Sequence, residues 1–249
     1  MAMTDFPYVY PYSSEEARRL NQIPMWRESF RANIACKNAI EQAVRRDFDG
    51  MHLKADCAGS VIAEYGHRRV SWVLANTVQQ KSWDGRFSRD NKEWAKGTYI
   101  PPDKHDRNLE YVVESHPAVL DGFVNQYRKA YQALGLFDYT HCEPDTNNQD
   151  FTGKVLVMST DNLKESCWSQ RDQLWLATGG FGCRANSSGR AVFATCLSDG
   201  EDTRFNRTDF VGILKEELLP GWARERLIEL QEQRPSDGGT PGMGGIEMK

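Results

Sequence analysis

A chain of 249 residues is long enough for one large domain or two small ones, so a buried core is within reach. With 39% hydrophobic and 27% charged residues it falls outside the disordered and fibrous classes. Its 31 Lys and Arg stand against 35 Asp and Glu, a formal net charge of -4, so a general attraction to phosphate backbones is not expected, although a local basic face is compatible with it.

The opening MAMTDFPYVYPYSSEE has neither the basic start nor the apolar core of a secretion signal, and no window approaches about 20 consecutive apolar residues. The expectation is a cytoplasmic protein without a membrane span. Ser13, with Glu16 three residues on, predicts a capped short helix. Pro24 then opens a long helix in which Trp26, Phe30, Ile34, Ile40, Val44 and Phe48 form one apolar stripe. Ala58, Val61, Ile62 and Tyr65, stopped by Gly66, followed by Val70, Val73, Leu74, Thr77 and Val78, predict two antiparallel helices joined at that glycine. Asp84-Gly85 marks a turn, Ser88 is placed to cap another short helix, and Pro101-Pro102 begins an extended connection. From Ser115 an amphipathic helix carries Val119, Leu120, Phe123, Val124, Tyr127 and Tyr131 and closes at Gly135.

The pattern then changes. Residues 138–153 are poor in aliphatic side chains and read as a linker between a helical domain at 1–137 and a second domain at 154–233. Lys154 to Met158, Gln173 to Thr178 and Arg190 to Leu197 have strand composition, Asp199-Gly200 sits at a hairpin position, and Phe205 to Leu214 supplies a further strand. Pro220 starts a helix through Trp222, Leu227 and Leu230 that covers the sheet, and the Gly- and Pro-rich stretch 234–249 reads as a disordered tail. The fold class is therefore α+β, an α-helical N-terminal domain followed by a small antiparallel β-sheet domain with a covering C-terminal helix.

Chemistry is less evident than architecture. The segment from Asn76 to Trp94 sets Asp84, Arg86, Arg89, Asp90, Asn91 and Glu93 among Trp83, Phe87 and Trp94, a mixture suited to recognition because Arg offers planar forks and Trp anchors interfaces. The same residues also suit a loop that packs its aromatics inward and pairs its charges at the surface. The Gly-rich stretch at 178–190 lacks the following helix and the Lys of a phosphate-binding loop, so it reads as a hairpin connection. Arg184, Arg190, Arg204 and Arg207 cluster around that hairpin near Phe205. Arginines beside aromatics suit single-stranded nucleic acid, but Asp199, Glu201, Asp202 and Asp209 favour surface ion pairs. The six cysteines include no CxxC pair. Two His/Cys neighbours, His52 with Cys57 and His141 with Cys142, fall short of a zinc pattern, so thiols and no metal or other cofactor are expected.

The stretches SWVLANTVQQKSWDGRFSRDNKEWAKG and YPYSSEEARRLNQ resemble a family of uncharacterised domains carried by conjugative elements and phages of gut bacteria. A second block, LWLATGGFGCRANSSGRAVFATCLSDGEDTRFNRTDF, is similar to a segment that accompanies such domains. The resemblance implies a mobile-element setting and a role in counter-defence, and it implies no catalytic residue. The resulting expectation is a non-enzymatic binding factor for a host protein, such as a defence effector, using Asn76, Trp83, Asp84, Arg86, Phe87, Arg89, Asp90, Asn91, Trp94, Arg190, Arg204 and Arg207. An enzyme or sponge for a nucleotide or small phosphorylated signal is the alternative, and direct nucleic-acid binding ranks below both.

Overall fold

The computed structural model describes residues 8–233, so the tail expected at 234–249 lies outside the described residues. The chain divides into two compact units, Met1–Leu136 with Leu163–Ser169, and Phe137–Asn162 with Gln170–Lys249.

The first unit is helical. α1 (Ser14–Arg19) is capped as its sequence predicts, the Ser13 hydroxyl accepting the Glu16 N–H. α2 (Ile23–Asp47) carries Pro24 in its first turn, where a missing N–H costs nothing. Its inward face delivers Cys36, Ile40 and Val44 to a core shared with Val70, Val73 and Leu74 of α3 (Cys57–Gln80) and Leu120, Phe123 and Val124 of α5 (Pro117–Ala133). The two helices expected to join at Gly66 are present as the two segments of α3, which kinks at that glycine, at φ 79° and ψ 162°, where the hydrogen-bond ladder breaks. The amides freed by the break are taken up by Glu165, whose carboxylate accepts the N–H groups of His67 and Arg68. The segment 163–169 thus belongs to the helical unit although it follows the first strand in sequence.

The second unit holds a five-stranded antiparallel sheet of order β4-β3-β2-β1-β5, made by β1 (Val155–Met158), β2 (Leu174–Gly179), β3 (Ala191–Cys196), β4 (Asp202–Asn206) and β5 (Phe210–Ile213). α6 (Gln170–Gln173) is a single turn before β2. α7 (Gly221–Gln233) buries Ala223, with Trp222, Leu227 and Leu230 packed on the core of Val157, Leu174, Leu176 and Leu214. The expected α+β architecture with its covering helix is present. The stretch read as a linker is built into this unit: Cys142 bridges to Leu214, and Phe137, Cys142 and Phe151 are buried. Too few aliphatic residues signalled that role, because backbone pairing and two aromatics do the anchoring.

The single strand expected over Phe205 to Leu214 is two strands at opposite edges of the sheet, joined by the turn Arg207–Asp209. Four residue steps reach at most about 14 Å, whereas the edges of a flat five-stranded sheet lie about 19 Å apart, so this sheet curls until its edges approach. Phe205 and Phe210 meet across that corner with ring centroids 5.6 Å apart.

Candidate functional site

The distinctive segment after α3 folds around Asp84. Its carboxylate accepts the Arg86 N–H at 2.9 Å, which closes the turn, and receives the Arg86 guanidinium through Nε at 2.9 Å and Nη2 at 2.7 Å. That fork holds the Asp84 carboxyl at about 2, below the usual carboxylate range. Phe87 is driven into the helical core, while Trp83 stands 81% exposed. Ser88 then caps α4 (Arg89–Lys96), accepting the Asn91 N–H at 3.3 Å.

A polar row on α5 holds α4 in place. Asp121 Oδ1 accepts the Ser88 N–H at 2.9 Å, the Ser88 hydroxyl at 3.0 Å and Asn91 Nδ2 at 2.8 Å. Asn91 Nδ2 also reaches Asn125 Oδ1 at 3.0 Å, and Arg128 donates to Asn91 Oδ1 at 2.7 Å. Trp94 leans on Tyr127, centroids 5.7 Å apart. Gln79 secures the far end of α4 by donating to the carbonyls of Ala95 and Thr98 at 2.6 and 2.7 Å. With its inner side fastened, α4 presents Arg89, Lys92 and Lys96 to a concavity of about 820 Å³ that Phe87, Tyr99 and Ile100 also line. Glu93, the carboxylate of that concavity, is bound to Lys96 at 2.8 Å. Tyr99 is 75% exposed.

The twelve residues singled out in the sequence thus separate by role. Trp83, Arg86, Arg89 and Asp90 face solvent, and Trp94 is half-buried. Asp84, Phe87 and Asn91 are buried and build the platform. Asn76 is buried as well; its Nδ2 donates to the Asn108 carbonyl at 2.8 Å, and its Oδ1 has no hydrogen-bond partner among the described residues. Arg190, Arg204 and Arg207 belong to the other unit. Arg190 and Arg204 are exposed, whereas Arg207 is 4% exposed and donates to the carbonyls of Gly182, Arg184, Thr146 and Gln149 at 2.7–3.0 Å, its guanidinium lying 3.6 Å above the Phe151 ring. Arg207 is therefore the strut of the curled sheet. The Gly-rich loop it grips joins antiparallel β2 and β3, as a hairpin connection should.

Sequence reasoning passed over Lys92, Lys96, Tyr99 and the Asp121, Asn125 and Arg128 row. Two signals were available: cations at 89, 92 and 96, and polar side chains at 121, 125 and 128, each spaced to share a helix face. Among the described residues no group of three or more His, Cys, Asp or Glu is arranged to hold a metal ion, and no helix is long and apolar enough to cross a membrane.

Residues 9–132 match the model of a family described as "Protein of unknown function (DUF3849)", so an uncharacterised domain family covers the greater part of the helical unit. No curated protein and no solved structure matches the chain.

Proposed function

We propose, starting from a domain of that uncharacterised family, that the helical unit is a binding module whose α4 face engages an acidic patch on another protein. One observation carries the reading: a rigidly fastened short helix offers Arg89, Lys92 and Lys96 to a concavity lined by the strongly exposed Tyr99, and Trp83, next in sequence to Ser82 of that lining, is strongly exposed as well. Exposed aromatics flanked by cations are what interfaces use as anchors and as guides to an approaching partner. In the setting implied by the resemblance, the protein is a cytoplasmic accessory factor of a mobile element, and its partner is a host protein such as a defence effector.

The test places a photoactivatable cross-linking residue at Trp83 or Tyr99 and, as a control, at Ile228, an exposed residue of the other unit. Cross-links to one acidic protein from Trp83 and Tyr99, and none from Ile228, support the assignment. Equal labelling from all three positions contradicts it. A nucleotide or small phosphorylated ligand in the concavity would instead protect the protein against heat, and Arg89→Ala with Lys96→Ala would abolish that protection.

A further inference from the structure

The arginines around the β3-β4 hairpin were expected to neutralise the nearby acids, and they do not. Asp202 accepts the Thr195 hydroxyl, and Glu201 accepts that of Thr203 at 3.1 Å. Asp209 accepts the Asn206 N–H at 2.7 Å and Asp199 the Glu201 N–H at 2.9 Å. All four carboxylates are thus engaged in shaping turns and strand ends. Arg184, Arg190 and Arg204, all exposed, form no ion pair among the described residues.

Two exposed aromatic rings lie in the same part of the sheet unit. Phe193, on the solvent side of β3, is 50% exposed and lies directly opposite Arg204 of β4 in the ladder. Phe181, just beyond β2, is 71% exposed, and Arg184 sits over its ring at 5.3 Å. The two rings belong to one patch: a β-carbon placed on Gly180, the neighbour of Phe181, would come within 3.2 Å of the Phe193 ring. Arg190, also exposed, immediately precedes β3.

We propose that this face of the curled sheet binds single-stranded nucleic acid, with bases stacking on Phe181 and Phe193 and phosphates paired by Arg184, Arg190 and Arg204. Exposed flat rings suit bases taken out of a duplex, and they accept any base because each has a π-face. Three exposed guanidiniums that form no ion pair among the described residues suit the backbone running past those rings. The net charge of -4 bears on long-range approach and leaves this local complementarity intact.

The full chain is titrated by fluorescence polarisation into labelled oligothymidylate and oligouridylate of twelve nucleotides, and into a duplex of equal length. The expected result is saturable binding of a single strand in preference to the duplex. Log affinity should fall with log salt at a slope of about -2, the value for three phosphate contacts on a single strand. Phe181→Ala with Phe193→Ala, which removes only exposed rings, should weaken binding roughly tenfold or more. Arg190→Ala with Arg204→Ala should bring the salt slope to about -0.7. Oligothymidylate and oligouridylate bound alike support a DNA or RNA strand equally, and a preference between them identifies the source. No binding of either strand at low salt, equal binding of the duplex, or undiminished binding by both folded variants overturns the proposal.

Discussion

Gly66 is the residue on which the geometry of α3 turns. Its φ of 79° lies in the left-handed region, and a β-carbon there would fall 2.6 Å from Glu165 Oε1, the group that satisfies the amides of the break. Gly66→Ala should therefore destabilise the helical unit by about 1–3 kcal/mol, read from urea denaturation. Composition and spacing located this glycine as a stop, but the partner that completes it lies 99 positions away and was invisible to any local pattern. Asp84 gives a pH signature. Because Arg86 holds its folded-state pKa at about 2, below the unfolded value near 4, its contribution to stability is present above about pH 4 and is lost as pH falls through 2. The gap in melting temperature between the protein and Asp84→Asn should accordingly narrow over that interval. A gap independent of pH would show that the carboxylate's charge plays no part.

Among the elements, α4 depends most on its neighbours, since eight residues cannot hold a helix alone in water. Its cap was legible, because Ser88 precedes a short charged run. Its attachment was not, because Asp121 serves α4 from the polar side of a helix whose apolar side dominated the reading. Asp121→Ala removes the acceptor for the Ser88 N–H, the Ser88 hydroxyl and Asn91 Nδ2. It should cost about 1–3 kcal/mol and speed amide exchange across Arg89–Lys96 before the rest of the unit opens. Unchanged exchange in α4 would mean that its side-chain packing suffices. The same contrast holds in the sheet. Strand composition located β1, β2 and β3 within a residue or two, whereas β4 is polar apart from Phe205, so that ring was read together with the apolar run from Phe210 to Leu214 as one strand across the polar corner.

At the scale of the whole chain, the helical-then-sheet order was legible from the switch in hydrophobic period, which depends on local sequence alone. The placement of 137–162 within the sheet unit and of 163–169 within the helical unit was not, since both depend on contacts between distant segments. Arg207 shows why function was harder to read than fold. Its sequence neighbourhood resembles that of Arg204, yet one is fixed among backbone carbonyls at the sheet's corner and the other stands in solvent. Arg207→Lys keeps the charge but cannot reproduce the planar fork, so it should destabilise the sheet unit by roughly 2–4 kcal/mol, whereas Arg204→Lys should be neutral by the same denaturation measurement.

We propose that the α4 face recognises a protein partner. The most direct measurement is quantitative affinity capture from a host lysate with the tagged protein and its Trp83→Ala/Arg89→Ala variant, both shown to be folded and read by mass spectrometry. One acidic protein should be captured in stoichiometric amount by the first and lost from the second. The same protein retained in equal amount by the variant would contradict the proposal.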